Sequence, residues 1–98
     1  MKIIIESPFT IDEASDQQIR EKLHSLEEFK MNITQVFLYF KIDDGEANKV
    51  ANCEIEIHLP GPVIFASDAN KDFMKSFHSA FTKAKRQFLK RKEVLKSN

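Results

Sequence analysis

Cationic side chains crowd into the last third of this chain. Residues 70–98 carry nine Lys and Arg against only Asp72 and Glu93, a balance of +7. Residues 1–69 carry six against thirteen Asp and Glu, a balance of −7. The formal net charge of zero averages over this division. A polyanion responds to the local field of a basic block and not to the total, so the C-terminal third is a candidate phosphate-binding face. The competing reading is a terminal helix with a solvated Lys/Arg face, paired in part with the acidic half.

Other chemistries find little support. His24, His58 and His78 are scattered, with no His-x-x-x-His pair and no nucleophile-base-carboxylate arrangement to converge on a substrate. Cys53 stands alone, so it can form no internal disulfide and has no partner thiol for a metal. A reducing cytoplasm is the compartment this implies. Glu54 and Glu56 alternate with apolar residues, which places them on a wetted strand face and not in an acid/base pair. Gly45 and Gly61 are the only glycines, too few for a Gly-rich phosphate loop or a dinucleotide fingerprint. The longest apolar run, Val36 to Phe40, is five residues, far short of the ~18–20 that a spanning helix requires. The expectations are no enzyme, no cofactor, no metal, no small-molecule substrate and no membrane contact.

Phe37, Tyr39 and Phe65 leave three readings open. They alternate with Val36, Leu38 and Phe40 and with Ile64 and Ala66, so a two-layer fold turns them outward. They can stack on bases, as sheet aromatics do in single-stranded RNA binders. They can form a protein contact, including a weak homodimer. Or they can simply cover a small sheet. Glu54 and Glu56 nearby repel phosphate and favour the protein contact over stacking.

These residues need elements to hold them. Lys2 to Glu6 is β-branched and ends at Ser7-Pro8, a first strand. Asp12 can cap a helix, with Ser15 and Gln18 as a rival capping box. Ile19, Leu23 and Leu26 give that helix an apolar stripe running to about Phe29. Ile33 to Ile42 and Ala51 to Leu59 alternate as strands, with a turn at Asp43-Asp44-Gly45 between them. Pro60-Gly61-Pro62 turns the chain into a fourth strand, Val63 to Ser67. A long helix starts near Asn70 or Asp72. On it Phe73, Phe77, Ala80, Phe81, Ala84, Phe88 and Leu95 gather within roughly 100° of arc. Its lysines fill the remainder. The order β-α-β-β-β-α predicts one α+β domain over residues 1–98, a four-stranded sheet with both helices on one face. Ile3, Ile5, Leu23, Leu26, Val36, Leu38, Ile55, Ile57, Phe77, Phe81 and Phe88 are the expected core.

Several stretches together resemble the ribosome hibernation-promoting factors, also called ribosome-associated inhibitors or sigma-54 modulation proteins. They are Ile64-Phe65-Ala66-Ser67, then Asp72, then the run from Lys83 through Arg86-Gln87-Phe88-Leu89-Lys90-Arg91-Lys92 to Glu93. Ile33-Thr34-Gln35-Val36 resembles the family's second-strand opening, and Leu23 to Glu27 its first-helix end. The resemblance covers essentially the whole chain. It implies a fold like that of double-stranded-RNA-binding domains. It also implies binding in the decoding channel of the small ribosomal subunit, in competition with messenger and transfer RNA.

Lys83, Arg86, Lys90 and Lys92 match the family's motif and are the RNA-binding residues it implies, with Lys22 on the first helix as a secondary one. Lys75 and Arg91 are added on charge alone, as are Lys71 and Lys85. Asp16 and Ser25 stand where relatives commonly carry basic residues. The Asp43–Val50 loop is acidic and longer than usual. Ending at Asn98, the chain resembles the short members that lack a C-terminal dimerisation domain. The rival function is a protein-interaction module that dimerises through Phe37, Tyr39 and Phe65 with little ribosome affinity.

Overall fold

The computed structural model describes residues 1–44 and 49–96. Its elements are β1 (Lys2–Glu6), α1 (Glu13–His24), a 3₁₀ turn (Ser25–Phe29), β2 (Gln35–Asp44), β3 (Lys49–His58), β4 (Ile64–Asn70) and α2 (Phe73–Lys96). The four strands form one mixed sheet in the order β1-β2-β3-β4. β1 runs parallel to β2, and the other neighbours are antiparallel. This is the expected two-layer α+β fold. The alternation that predicted β3 survives in the structure: Ala51, Cys53, Ile55 and Ile57 are buried, while Asn52, Glu54, Glu56 and His58 are half-buried on the other face.

The buried residues of β2, β3 and β4, apart from Ala51, share one cluster with Ile19, Leu23 and Leu26 from the first helical segment and Phe77, Ala80, Phe81, Ala84 and Phe88 from α2. Both helices therefore lie on the same side of the sheet. Ile3 and Ile5 are the two expected core residues that are only partly buried: β1 is an edge strand, and α2 packs over β3 and β4 at the other side of the sheet. Beyond the predicted set, Phe9 packs against Phe40 and Phe73 with ring centroids 5.4 and 5.1 Å apart, closing the core where α2 begins. Ser76 is fully buried, and its hydroxyl donates to the Phe73 carbonyl at 2.7 Å, so the helix itself satisfies it.

Element ends differ from the sequence expectations for local reasons. Asp12 wins the capping competition: its Oδ2 accepts from the Ser15 amide at 3.1 Å. The α-helix stops at His24, and the remainder tightens into the 3₁₀ turn. There the Ser25 hydroxyl donates to the Lys22 carbonyl at 2.6 Å, competing with the helical pattern. Lys30 leaves the turn in the left-handed region at φ 53°. β4 continues three residues past Ser67, since Asp68, Ala69 and Asn70 keep their pairing with Cys53, Asn52 and Ala51. Asp43 and Asp44 pair with Val50 and Lys49 as strand residues, and Gly45 lies outside the described residues. Asp72 caps α2, its Oδ1 accepting from the Met74 amide at 2.9 Å.

Cys53 lies fully buried at the centre of the sheet. Burial pushes its thiol up to about 12, with Glu54 adding a smaller push in the same direction. Reaction requires the thiolate. The native protein is therefore expected to resist alkylation at pH 8 and to react rapidly once denaturant is added. Fast modification of the folded chain would contradict the placement of β3.

Candidate nucleic-acid interface

Helical geometry sorts the cations of α2 into three sets. Lys75, Lys83, Arg86 and Lys90 are exposed on the side of α2 opposite its buried Phe77 and Phe88, with Lys83 at the border next to β4. Their separations of three, four and eight residues keep them on one face. Glu93 is the single acid within α2.

A second set lines the seam between α1 and α2. The Lys22 ammonium lies 5.7 Å from the Phe81 ring centroid, and those of Lys85 and Lys92 lie 5.9 and 5.1 Å from the Phe29 ring. The ring faces attract the ammonium groups and hold them beside the helices. A shallow groove here is lined by Lys22, Phe81, Thr82, Lys85, Arg86 and Leu89. Helical spacing sets Lys85 about 80–160° around α2 from Lys75, Lys83, Arg86 and Lys90, but does not show what it meets. Only the docking of Phe29 beside α2, edge-on to Phe88 at 5.7 Å, shows that Lys85 joins the seam.

Arg91 belongs to neither set. It is half-buried, and its Nη1 is buried without a hydrogen-bond partner. A β-carbon added at Gly61 would lie 3.8 Å from this Nη1, so the guanidinium reaches the β3–β4 turn. Gly61 itself has φ +96°, a conformation that favours glycine in this tight Pro-Gly-Pro turn.

Lys83 has a second engagement. Its Nζ lies 3.3 Å from Asp68 Oδ2 and donates to the Ser67 carbonyl at 3.4 Å. Gln87 donates to the Phe65 carbonyl at 2.8 Å. These two side chains cover carbonyls of the edge strand β4. The Asp68 carboxyl is held below the usual carboxylate range, first by the Ala69 amide and then by Lys83. In Lys83→Gln the Asp68 carboxyl is expected to titrate at higher pH than in the parent, though still lowered by Ala69. Because its folded value is depressed, its contribution to stability is present above the unfolded carboxylate range and fades as pH falls through the folded value. A pH titration of the Asp68 side chain by NMR reads this shift, and an unchanged midpoint would contradict the pairing.

Phe37, Tyr39 and Phe65 come together on the far side of the sheet. The Phe37 and Tyr39 rings are parallel, within 1°, with centroids 6.0 Å apart, and Phe37 meets His58 edge-on at 5.1 Å. Glu56 pairs across the sheet with both Phe37 and Phe65, so these residues form one row. Phe65 is 48% exposed. On α1, Arg20 is tied to Asp16 at 2.9 Å, and His24 meets Glu27 at 3.0 Å, which leaves that surface predominantly acidic.

A family model described as sigma 54 modulation protein / S30EA ribosomal protein matches residues 3–96. The chain belongs to this family. Solved structures agree with the S30EA fold described above. A ribosomal subunit interface protein from Coxiella burnetii superposes with a TM-score of 0.80 at 22% identity, covering 95% of this chain and 99% of that one. The N-terminal domain of Thermus thermophilus Protein Y gives a TM-score of 0.71 at 19% identity, over 89% and 94%. At these identities the structures establish a shared fold and nothing about individual side chains. Comparison with curated proteins gives no match. Among the described residues no group of His, Cys, Asp and Glu is placed to hold a metal ion, and no helix is long and apolar enough to cross a membrane.

Proposed function

We propose that this S30EA-family protein binds the small ribosomal subunit in its decoding channel and inhibits translation by excluding messenger and transfer RNA. One observation carries the reading: Lys75, Lys83, Arg86 and Lys90 occupy a single exposed face of a helix anchored in the core by Phe77, Phe81 and Phe88. A rigid cationic rod of this kind meets phosphates without ordering a loop. Lys22, Lys85 and Lys92 extend the positive surface across the seam to α1, and Arg91 adds its charge beside the β3–β4 turn.

The chemistry is positional. Arg86 offers a planar fork to phosphate oxygens, and the lysines offer compact charges. Phosphates carry no base identity, so these contacts fix place and orientation, and selectivity comes from the shape of the channel. No bond is made or broken, and inhibition follows from occupancy. The protein acts in the cytoplasm, where ribosomes are. The family match and the likeness to the ribosomal subunit interface protein from Coxiella support this reading.

The test is order of addition in a reconstituted translation system. Protein added to empty small subunits is expected to suppress peptide synthesis. Subunits preloaded with messenger and initiator transfer RNA are expected to resist it. Equal inhibition in both orders would place the action outside the channel.

A further inference from the structure

We propose that the outer face of the sheet is a docking surface for an extended cationic protein segment, one that carries Arg or Lys at alternate positions. It lies on the side of the sheet opposite the helices and goes beyond the RNA-binding reading, with which it shares no residue.

The surface combines flat aromatic area with carboxylates. Phe37 and Tyr39 present parallel rings, and Phe65 stands in the same row beyond Glu56. Glu6 and Glu54 flank Tyr39 on its two neighbouring strands. The Tyr39 hydroxyl is pushed above its ordinary range, first by desolvation and then by Glu56, Glu6 and Glu54, so all three carboxylates act on the same spot. Lys41 offsets them only in part, 2.8 Å from Glu54, while the His58 ring lies 3.3 Å from Glu56.

This composition selects among occupants. RNA phosphates are repelled by the carboxylates. A second copy meeting this face about a two-fold axis brings the same patch against itself. Glu6, Glu54 and Glu56 then crowd their own counterparts, so the weak homodimer is the poorer fit. An arginine-bearing segment satisfies both components, since a guanidinium stacks on aromatic faces and pairs bidentately with carboxylate. Glu54 and Glu56 are two residues apart on one strand, a same-face spacing of roughly 6.5–7 Å. Alternate residues of an extended segment have that same spacing. Such a segment lies across the face and does not add to β4, whose Phe65 and Ser67 carbonyls are already engaged by Gln87 and Lys83.

The test is an NMR titration of the ¹⁵N-labelled protein with a ten-residue peptide alternating Arg and Ser. An alternating Glu-Ser peptide of the same length serves as control. The Arg peptide is expected to shift the ring protons of Phe37 and Tyr39 and the amides around Glu54, Glu56 and Phe65 in a saturable way. Glu54→Gln with Glu56→Gln is expected to weaken it at least fivefold while the spectrum stays dispersed, and the Glu peptide is expected to leave these rings unmoved. Should the double variant lose its fold, Phe37→Ala and the single Glu56→Gln serve in its place, each expected to weaken binding at least twofold. The proposal is overturned if the Arg peptide instead shifts the acidic surface of α1, if folded variants bind it like the parent, or if the sheet-face signals move with protein concentration alone, which would make a second copy the occupant.

Discussion

Truncating Phe77 to alanine is expected to destabilise the protein by about 3–5 kcal/mol, the range for removing a buried Phe ring. Phe77 is fully buried, and its ring lies 5.8 Å from that of Phe81 in the face that α2 turns to the sheet. Small domains commonly hold only about 5–15 kcal/mol in total, so the variant should be close to unfolding. For a domain of this size each kcal/mol moves the melting temperature by about 4–8 °C. A denaturation curve measures the loss directly. A change below about 1 kcal/mol would show that α2 is not seated on the sheet as described, and the cationic face would then have no defined direction.

Reversing Lys83, Arg86 and Lys90 together to Glu is expected to abolish small-subunit binding at ordinary salt and to relieve inhibition of translation. These three side chains are exposed, so folding should be nearly unchanged, within about ±0.5 kcal/mol per site. Lys83→Glu also sets a carboxylate beside Asp68, a like-charge contact that exposure to water keeps small. Glu27→Lys with Glu28→Lys, on the 3₁₀ turn, makes the matching control. Added positive charge there is expected to leave binding unchanged or to strengthen it slightly through the long-range field. Loss of binding in both variants would point to general damage, whereas loss only in the first assigns the contact to α2.

The sheet and the orientation of α2 were legible because each rests on a period. The two-residue alternation through Cys53, Ile55 and Ile57 and the helical spacing of Phe77, Phe81 and Phe88 name the buried face without any tertiary knowledge. Element ends were less legible, since they depend on which of several local hydrogen bonds wins. Asp12 against Ser15 is one such contest, and the continuation of β4 through Asp68, Ala69 and Asn70 in register with β3 another. Ile3 and Ile5 read as core from their residue type, but only topology reveals that β1 is an edge.

The cationic face was legible as a charge block but not residue by residue. Arg91 lies about 40° from Phe77 on a helical wheel at ~100° per residue, which already places it on the inward side. Its charge makes it a candidate phosphate ligand, and its spacing anticipates its half-burial. Lys85 and Gln87 required the docked structure, because nothing in their spacing shows that one reaches Phe29 and the other the Phe65 carbonyl.

The salt dependence of small-subunit binding reads the phosphate contacts of α2 directly. Each phosphate contact made by Lys or Arg releases condensed counterions, so log affinity falls linearly with log salt concentration, with a slope of about −0.7 to −0.9 per contact. Small-subunit affinity is measured by co-sedimentation across a salt series for the parent and for the variant Lys83→Gln, Arg86→Gln, Lys90→Gln. The parent is expected to show a steep slope that becomes shallower by about 2–3 in the variant, with weaker binding at every salt concentration. A variant with the parent's affinity and the parent's slope would contradict it, because phosphate contact through this face of α2 would then contribute nothing to binding.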